Sequence, residues 1–289
     1  MKRHEMMRQQ YRANRYMEHL SAEELEQRAR DIMLNQLVLQ EDNKIGLHSL
    51  KGEGVYWITI FTQLAEEFKL RYGPYPAGFT NGFIKEMRFF DPGLDQIRKA
   101  CELVKKLKIE PDKYLFKFSE FKWLEQMLKK GQMRISPASK YTDPSLNSAI
   151  QDDELKRIIN HTKHNKIIQE STTDYYVYCL SCAFTPRLFS DFETDTCLII
   201  KNPQIFIKKV LDAFREICRE WDGIAKVVKY FDPLHGTYEQ VDIYSFKHFR
   251  YSYQKELRFI WLPEEPVQNL DYKYIELGSL EDCCELIRV

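Results

Sequence analysis

A chain of 289 residues with 44% hydrophobic and 13% aromatic content can bury a sizeable core, enough for one full domain and a smaller appendage. Lys plus Arg equals Asp plus Glu at 43 each, so no global field draws the chain to nucleic acid or to an acidic membrane surface. No apolar run approaches a membrane span, the opening MKRHEMMRQQYR lacks the apolar centre of a secretory signal, and seven cysteines without framework spacing suit a reducing compartment, so a cytoplasmic protein with no membrane partner is expected.

The first 110 residues read as a helical region. Ser21-Ala-Glu-Glu24 is a capping box, and Leu25, Ala29, Ile32 and Met33 follow on one stripe. A second helix is expected over 53–72, stopped by Gly73-Pro74-Tyr75-Pro76. A third begins after Asp91-Pro92 and carries Leu94, Ile97, Cys101, Val104 and Leu107 on one face. None of these stretches carries chemistry. The basic set Lys2, Arg3, Arg8, Arg12 and Arg15 is read as the solvated face of a helix, so nucleic acid is a possible partner but not the favoured one.

From residue 111 to 289 the pattern becomes α+β, short strands mixed with helices. A strand over 114–118 and a helix over 121–130 lead to a strand over 132–136, whose alternation sets Gln132, Arg134 and Ser136 on one face and Met133 and Ile135 on the other. A loop of turn formers runs from Pro137 through Tyr141 and Asp143 to Pro144. A helix over 152–169 is expected next, then strands over 174–184 and 196–201. A long helix opened by Asn202-Pro203 lays Ile207, Val210, Leu211, Phe214, Ile217, Cys218 and Trp221 on one broad face. Strands follow over 224–230, 252–261 and 272–277. The alternation of the second of these puts Tyr253, Leu257, Phe259 and Trp261 toward a core and Gln254, Glu256 and Arg258 on the opposite, polar face.

His161-x-x-His164 and Cys179-x-x-Cys182 invite a zinc site. The cysteines sit in a strongly strand-forming stretch, where residues three apart point to opposite faces, so no metal is expected. No G-x-S-x-G elbow, Walker lysine loop or G-x-G-x-x-G occurs, which argues against serine hydrolase, ATP and Rossmann-type chemistry.

The order Tyr114-Leu-Phe-Lys117-Phe, Met133-Arg134-Ile-Ser136-Pro137, Tyr141-Thr-Asp143-Pro144, Cys179-Leu-Ser181-Cys and Tyr253-Gln254-Lys-Glu256-Leu-Arg258 resembles a widespread bacterial family catalogued only as a domain of unknown function. The resemblance covers residues 111–289, with Thr142 standing where asparagine is usual. The same order is similar to the ADP-ribosyltransferase superfamily of the arginine–serine–glutamate class, although a clean Ser-Thr-Ser is missing; Ser181 and Ser171-Thr172-Thr173 are its nearest counterparts. This resemblance implies a catalytic domain of two small packed sheets behind the helical region. It also implies mono-ADP-ribosyl transfer from NAD, a substrate here, to a macromolecular acceptor, most plausibly protein, by a bacterial toxin, an effector delivered into a target cell or an anti-phage protein.

Loss of nicotinamide leaves an oxocarbenium-like ribosyl cation that a nearby carboxylate stabilises. In that scheme Glu256 is the carboxylate and Gln254 orients the acceptor. Arg134, with Lys117 as its rival, holds a phosphate or ribose; Ser181 or Ser136 supports Glu256 or the ribose, and Tyr141 stacks on nicotinamide. Two alternatives stay open: an NAD glycohydrolase, and a non-enzymatic nucleotide- or protein-binding module of a defence or regulatory system.

Overall fold

A computed structural model describes residues 2–39, 45–48, 52–74, 113–235 and 241–289, with isolated positions between 98 and 110. The third expected helix lies for the most part outside the described residues. The chain forms two compact units: Met1–Asp91 with Ile159–Ile167 and Asp232–Tyr238, and Pro92–Ile158 with Ile168–Phe231 and Glu239–Val289. Two later segments thus group with the helices.

In the first unit α1 (Arg3–Ala13) and α2 (Ala22–Gln36) pack on α3 (Glu53–Tyr72), and β1 (Leu37–Leu39) pairs with β2 (Ile45–Leu47). The capping box forms as expected: Glu24 N–H donates to Ser21 Oγ at 3.1 Å and Ser21 N–H to Glu24 Oε2 at 3.0 Å. The basic N-terminal face is not merely solvated, because Arg12 donates to the buried Glu66 and Arg15 to the buried Glu67. Asp232 takes a two-pronged bond from Arg28 at 3.0 and 2.6 Å. Burial pushes the Asp232 carboxyl up, but Arg28 outweighs it and holds the group down to about 2.

The second unit is built on one antiparallel sheet of eight strands among the described residues. Its members are β3 (Leu115–Ser119), β4 (Gln132–Pro137), β7 (Tyr176–Ser181), β8 (Thr196–Ile200), β9 (Trp221–Val227), β12 (Glu256–Pro263), β13 (Lys273–Glu276) and β14 (Cys284–Arg288). Along one edge β7 pairs with β12 throughout, and β12 with β9. The other edge of β7 is shared: β4 pairs with Tyr176 and Val177, while β3 pairs at Ser181. The sheet forks there, one arm continuing to β13 and the other through β8 to β14. What was expected as two packed sheets is thus two arms diverging from β7.

The helices α4 (Phe121–Lys130) and α6 (Pro203–Ile217) cover one face of this sheet. They bury Leu124 and Met127, and Phe206, Val210 and Phe214, at roughly 2 kcal/mol per large side chain. The short α5 (Leu188–Asp191) packs on the other face against Phe116 and Phe118. Asn202 caps α6 by accepting from Ile205 N–H, as its Asn-Pro start implies. The helix stops at Ile217, which is exposed, and Trp221 opens β9 instead.

The helix expected over 152–169 is a hairpin, β5 (Lys156–His161) with β6 (Lys166–Glu170). Paired β-branched residues, Ile158-Ile159 and Ile167-Ile168, flank a turn closed by Thr162 and Asn165, and these preferences outweigh the helical spacing. A further two-stranded pair, parallel in sense, joins β10 (Lys229–Phe231) to β11 (Phe246–His248).

Candidate functional site

The expected continuous strand over 252–261 is broken. Residues Phe249–Gln254 form a 3-10 helix, Lys255 takes a left-handed φ of 46°, and β12 starts only at Glu256. A left-handed lysine carries a cost of about 1–2 kcal/mol, and no glycine announces it. Gln254 and Glu256 therefore do not share a strand face. They nonetheless meet on one group, the ammonium of Lys247, which the parallel pairing of β10 and β11 brings opposite Tyr230.

Lys247 Nζ donates to Glu256 Oε1 at 2.6 Å and to Gln254 Oε1 at 3.1 Å, and it lies 4.2 Å from the centre of the Tyr251 ring. A carboxylate, an amide oxygen and an aromatic face surround one cation. Glu256 Oε2 accepts from Arg258 Nε at 2.9 Å, and Glu256 N–H donates to Tyr230 Oη. Arg258, 0% exposed, turns its two Nη groups onto the two oxygens of Glu154, at 2.7 Å each. Arg157 donates to the same carboxylate at 2.6 Å and approaches Asp152 at 3.4 Å.

Three cations and three acids thus alternate through the interior. Burial, the largest influence, pushes Glu154 up, yet Arg258, Arg157 and Lys247 together hold it down to about 2. Glu256 is shifted downward in the same way, burial being outweighed by Lys247 and Arg258. Asp152 moves up, because burial there exceeds the pull of Arg157.

The other expected residues divide into two groups. Ser181, on β7 opposite Glu256, has its Oγ 2.8 Å from both the Gln254 and Ala183 carbonyl oxygens, so it fixes the backbone at the site and bonds no carboxylate. Ser136 lies near the end of β4 and Tyr141 in the short 3-10 turn that follows, where burial raises its phenol. Lys117 sits at the fork: its Nζ donates to the Cys179 carbonyl at 3.0 Å, where β3 and β4 part, and lies 4.4 Å from the Tyr178 ring centre. Burial lowers its ammonium, with Glu256 pulling the other way. Arg134 lies on the exposed face of β4, stacked 4.7 Å from the ring centre of Tyr272.

Sequence reasoning missed Asp152, Glu154, Arg157, Lys247 and Tyr251. Glu154 falls in the stretch whose spacing predicts a helix that does not form, and its pairing with Arg258 spans 104 residues. The one available signal was the run of three acids Asp152-Asp153-Glu154 ahead of Arg157. Cys179 lies in the middle of β7 and Cys182 beyond its end, and burial raises the Cys179 thiol to about 12. Among the described residues, no group of three or more His, Cys, Asp or Glu is placed to hold a metal ion, and no helix is long and apolar enough to cross a membrane. No protein-family model, curated protein or solved structure matches the chain.

Proposed function

We propose that the second unit acts on NAD and transfers its ADP-ribosyl group to a protein acceptor. One observation carries this reading: Gln254 Oε1, Glu256 Oε1 and the Tyr251 ring converge on a single positive charge. A cradle that favours an ammonium also favours the ribosyl cation formed when the bond from ribose C1′ to nicotinamide breaks. The electron pair leaves with neutral nicotinamide; the acceptor's nucleophile then bonds C1′ and loses a proton. Lys247 stands where that cation would form, so NAD must displace its ammonium from Glu256. The forked sheet, with Lys117 at the fork and Ser181 beside Glu256, supports the same reading.

The test is to incubate the protein with labelled NAD and cell lysate, following nicotinamide release and protein labelling together. Turnover is expected in wild type and absent in Glu256→Gln. Lys247→Met breaks the same ion pair but keeps the carboxylate, so turnover retained there and lost in Glu256→Gln separates chemistry from folding. Nicotinamide release without label identifies a glycohydrolase. Absence of both turnover and NAD binding in a folded wild type overturns the proposal.

A second reading, a non-enzymatic binding module, draws on a different observation. Glu256 is 6% exposed and both its oxygens are held by cations, the arrangement of an interior structural charge. NAD binding that is indifferent to Glu256→Gln and gives no nicotinamide favours that reading.

A further inference from the structure

Among the described residues, the large sheet of the second unit ends on three strands with a single neighbour each: β9, β13 and β14. At seven residues β9 is the longest of them, against four and five. Shortness, bulges and prolines are the devices that ordinarily keep a sheet edge from pairing with another chain. β9 has none of them, since its register with β12 runs unbroken from Trp221 to Val227 and contains no proline.

The inner partner fixes which backbone groups this edge presents. Val228 N–H donates to the Glu256 carbonyl at 2.9 Å, in the same register as the pairs before it. In an antiparallel pair every second residue turns both its N–H and its C=O toward the partner, so Asp222, Ile224 and Lys226 also bond toward β12. Gly223, Ala225 and Val227 therefore turn theirs outward, where no strand meets them among the described residues. The side chains of Asp222, Ile224 and Lys226 stand opposite Leu262, Ile260 and Arg258, on the face away from Trp261 and α6. Asp222 and Lys226 are exposed, and Ile224 between them is 45% exposed.

A strand that completes this edge must offer outward groups at matching positions and must answer an acid, an isoleucine and a base in that order. β9 itself, turned end for end, does both. With a twofold axis at Ile224, Gly223 stands opposite the partner's Ala225 and Trp221 opposite the partner's Val227, each pair being made of outward-facing residues. The same axis sets Asp222 against the partner's Lys226, Lys226 against the partner's Asp222, and Ile224 against the partner's Ile224. These are the positions where side chains across an antiparallel pair come closest, about 4.5 Å between Cα atoms. Moving the axis by one residue either way sets Ile224 against a charge. Lys226 also meets Asp242 of its own chain at 3.0 Å, and an ammonium has donors for both acids.

We infer that two copies of this chain join through β9, antiparallel and centred on Ile224, so that their sheets become one. The contact is independent of the NAD reading, and neither result bears on the other.

The test is the mass of the full chain in solution, followed by sedimentation over a range of concentrations. Wild type should approach twice the 34.7 kDa of one chain as concentration rises. Ala225→Pro removes an outward N–H and leaves the bonds to β12, so it should unfold thermally as wild type does yet stay monomeric. Asp222→Lys sets two bases against each other and Lys226→Asp two acids, so each variant alone should dissociate about tenfold more readily. Mixed in equal amounts, the two variants should recover the dimer, because each then meets the opposite charge at both positions. A wild type that keeps the mass of one chain at every concentration overturns the inference and leaves the edge to a strand of another protein. A dimer left intact by Ala225→Pro and by both charge changes also overturns it, as does a failure of the two charge variants to pair when mixed.

Discussion

Glu154 is the residue on which the interior charges of the second unit depend. It accepts three of the shortest bonds in the network, two from Arg258 and one from Arg157, and it is itself buried. Glu154→Gln leaves Arg258 in the interior with only Glu256 to balance it. Removing one partner of a buried pair costs about 3–5 kcal/mol, so the midpoint of chemical denaturation should fall by a corresponding amount.

The acid dependence follows from the same geometry. The folded Glu154 carboxyl is held down to about 2, below its ordinary value near about 4.3 in an unfolded chain. Its contribution is present above the unfolded value and is lost as pH falls from about 4.3 toward about 2. Asp152, raised by burial, works in the opposite sense. Wild type should lose stability steeply across this window, and Glu154→Gln should follow a flatter curve; parallel curves would show that the charge is not linked to folding.

At the scale of elements, glycine does more at one turn than at its neighbour. Gly131 ends α4 at a left-handed φ of 67°, and a Cβ there would lie 2.3 Å from the Gly278 carbonyl oxygen. Gly278 shares the left-handed φ, at 73°, but a Cβ on it would meet nothing. Gly131→Ala combines backbone strain with overlap and should cost about 2–3 kcal/mol, and Gly278→Ala about 1 kcal/mol. Equal losses in thermal unfolding would mean that the turn can shift to admit the methyl.

Local rules of this kind explain what the sequence made legible. The Ser21 capping box, the Asn202-Pro203 helix start and the strand at Gln132 depend on neighbours in the chain, and all three form. The segment 152–169 carried both helical spacing and β-branched pairs, and the second signal prevailed. For the site, Glu256 and Ser181 were each legible as strand residues, but that β12 pairs with β7 and sets them opposite one another was not. The Lys255 twist and the partners Lys247 and Glu154 were not, since a left-handed non-glycine and contacts across 104 residues leave no local pattern.

At the scale of the whole molecule, the first unit is discontinuous. Its helices take in Ile159–Ile167 and Asp232–Tyr238, and Arg28 pairs with Asp232 across 204 residues. A fragment ending at residue 110 keeps α1, α2 and α3 but strands Arg28, which is buried, without its carboxylate. Such a fragment should show helical circular dichroism without the sharp thermal transition of the full chain. A cooperative transition in the fragment would show that the three helices suffice.

The same threading imposes an order in time. A ribosome that has made Tyr72, the last residue of α3, still has about 160 more to add before Asp232 is made, on the order of ten to thirty seconds at typical speeds of synthesis. Through that interval the helices lack the two later segments that complete their unit, and Arg28 lacks its carboxylate. The part made first is thus completed late, and a nascent chain stalled before Asp232 should be the form that chaperones hold and proteases cut.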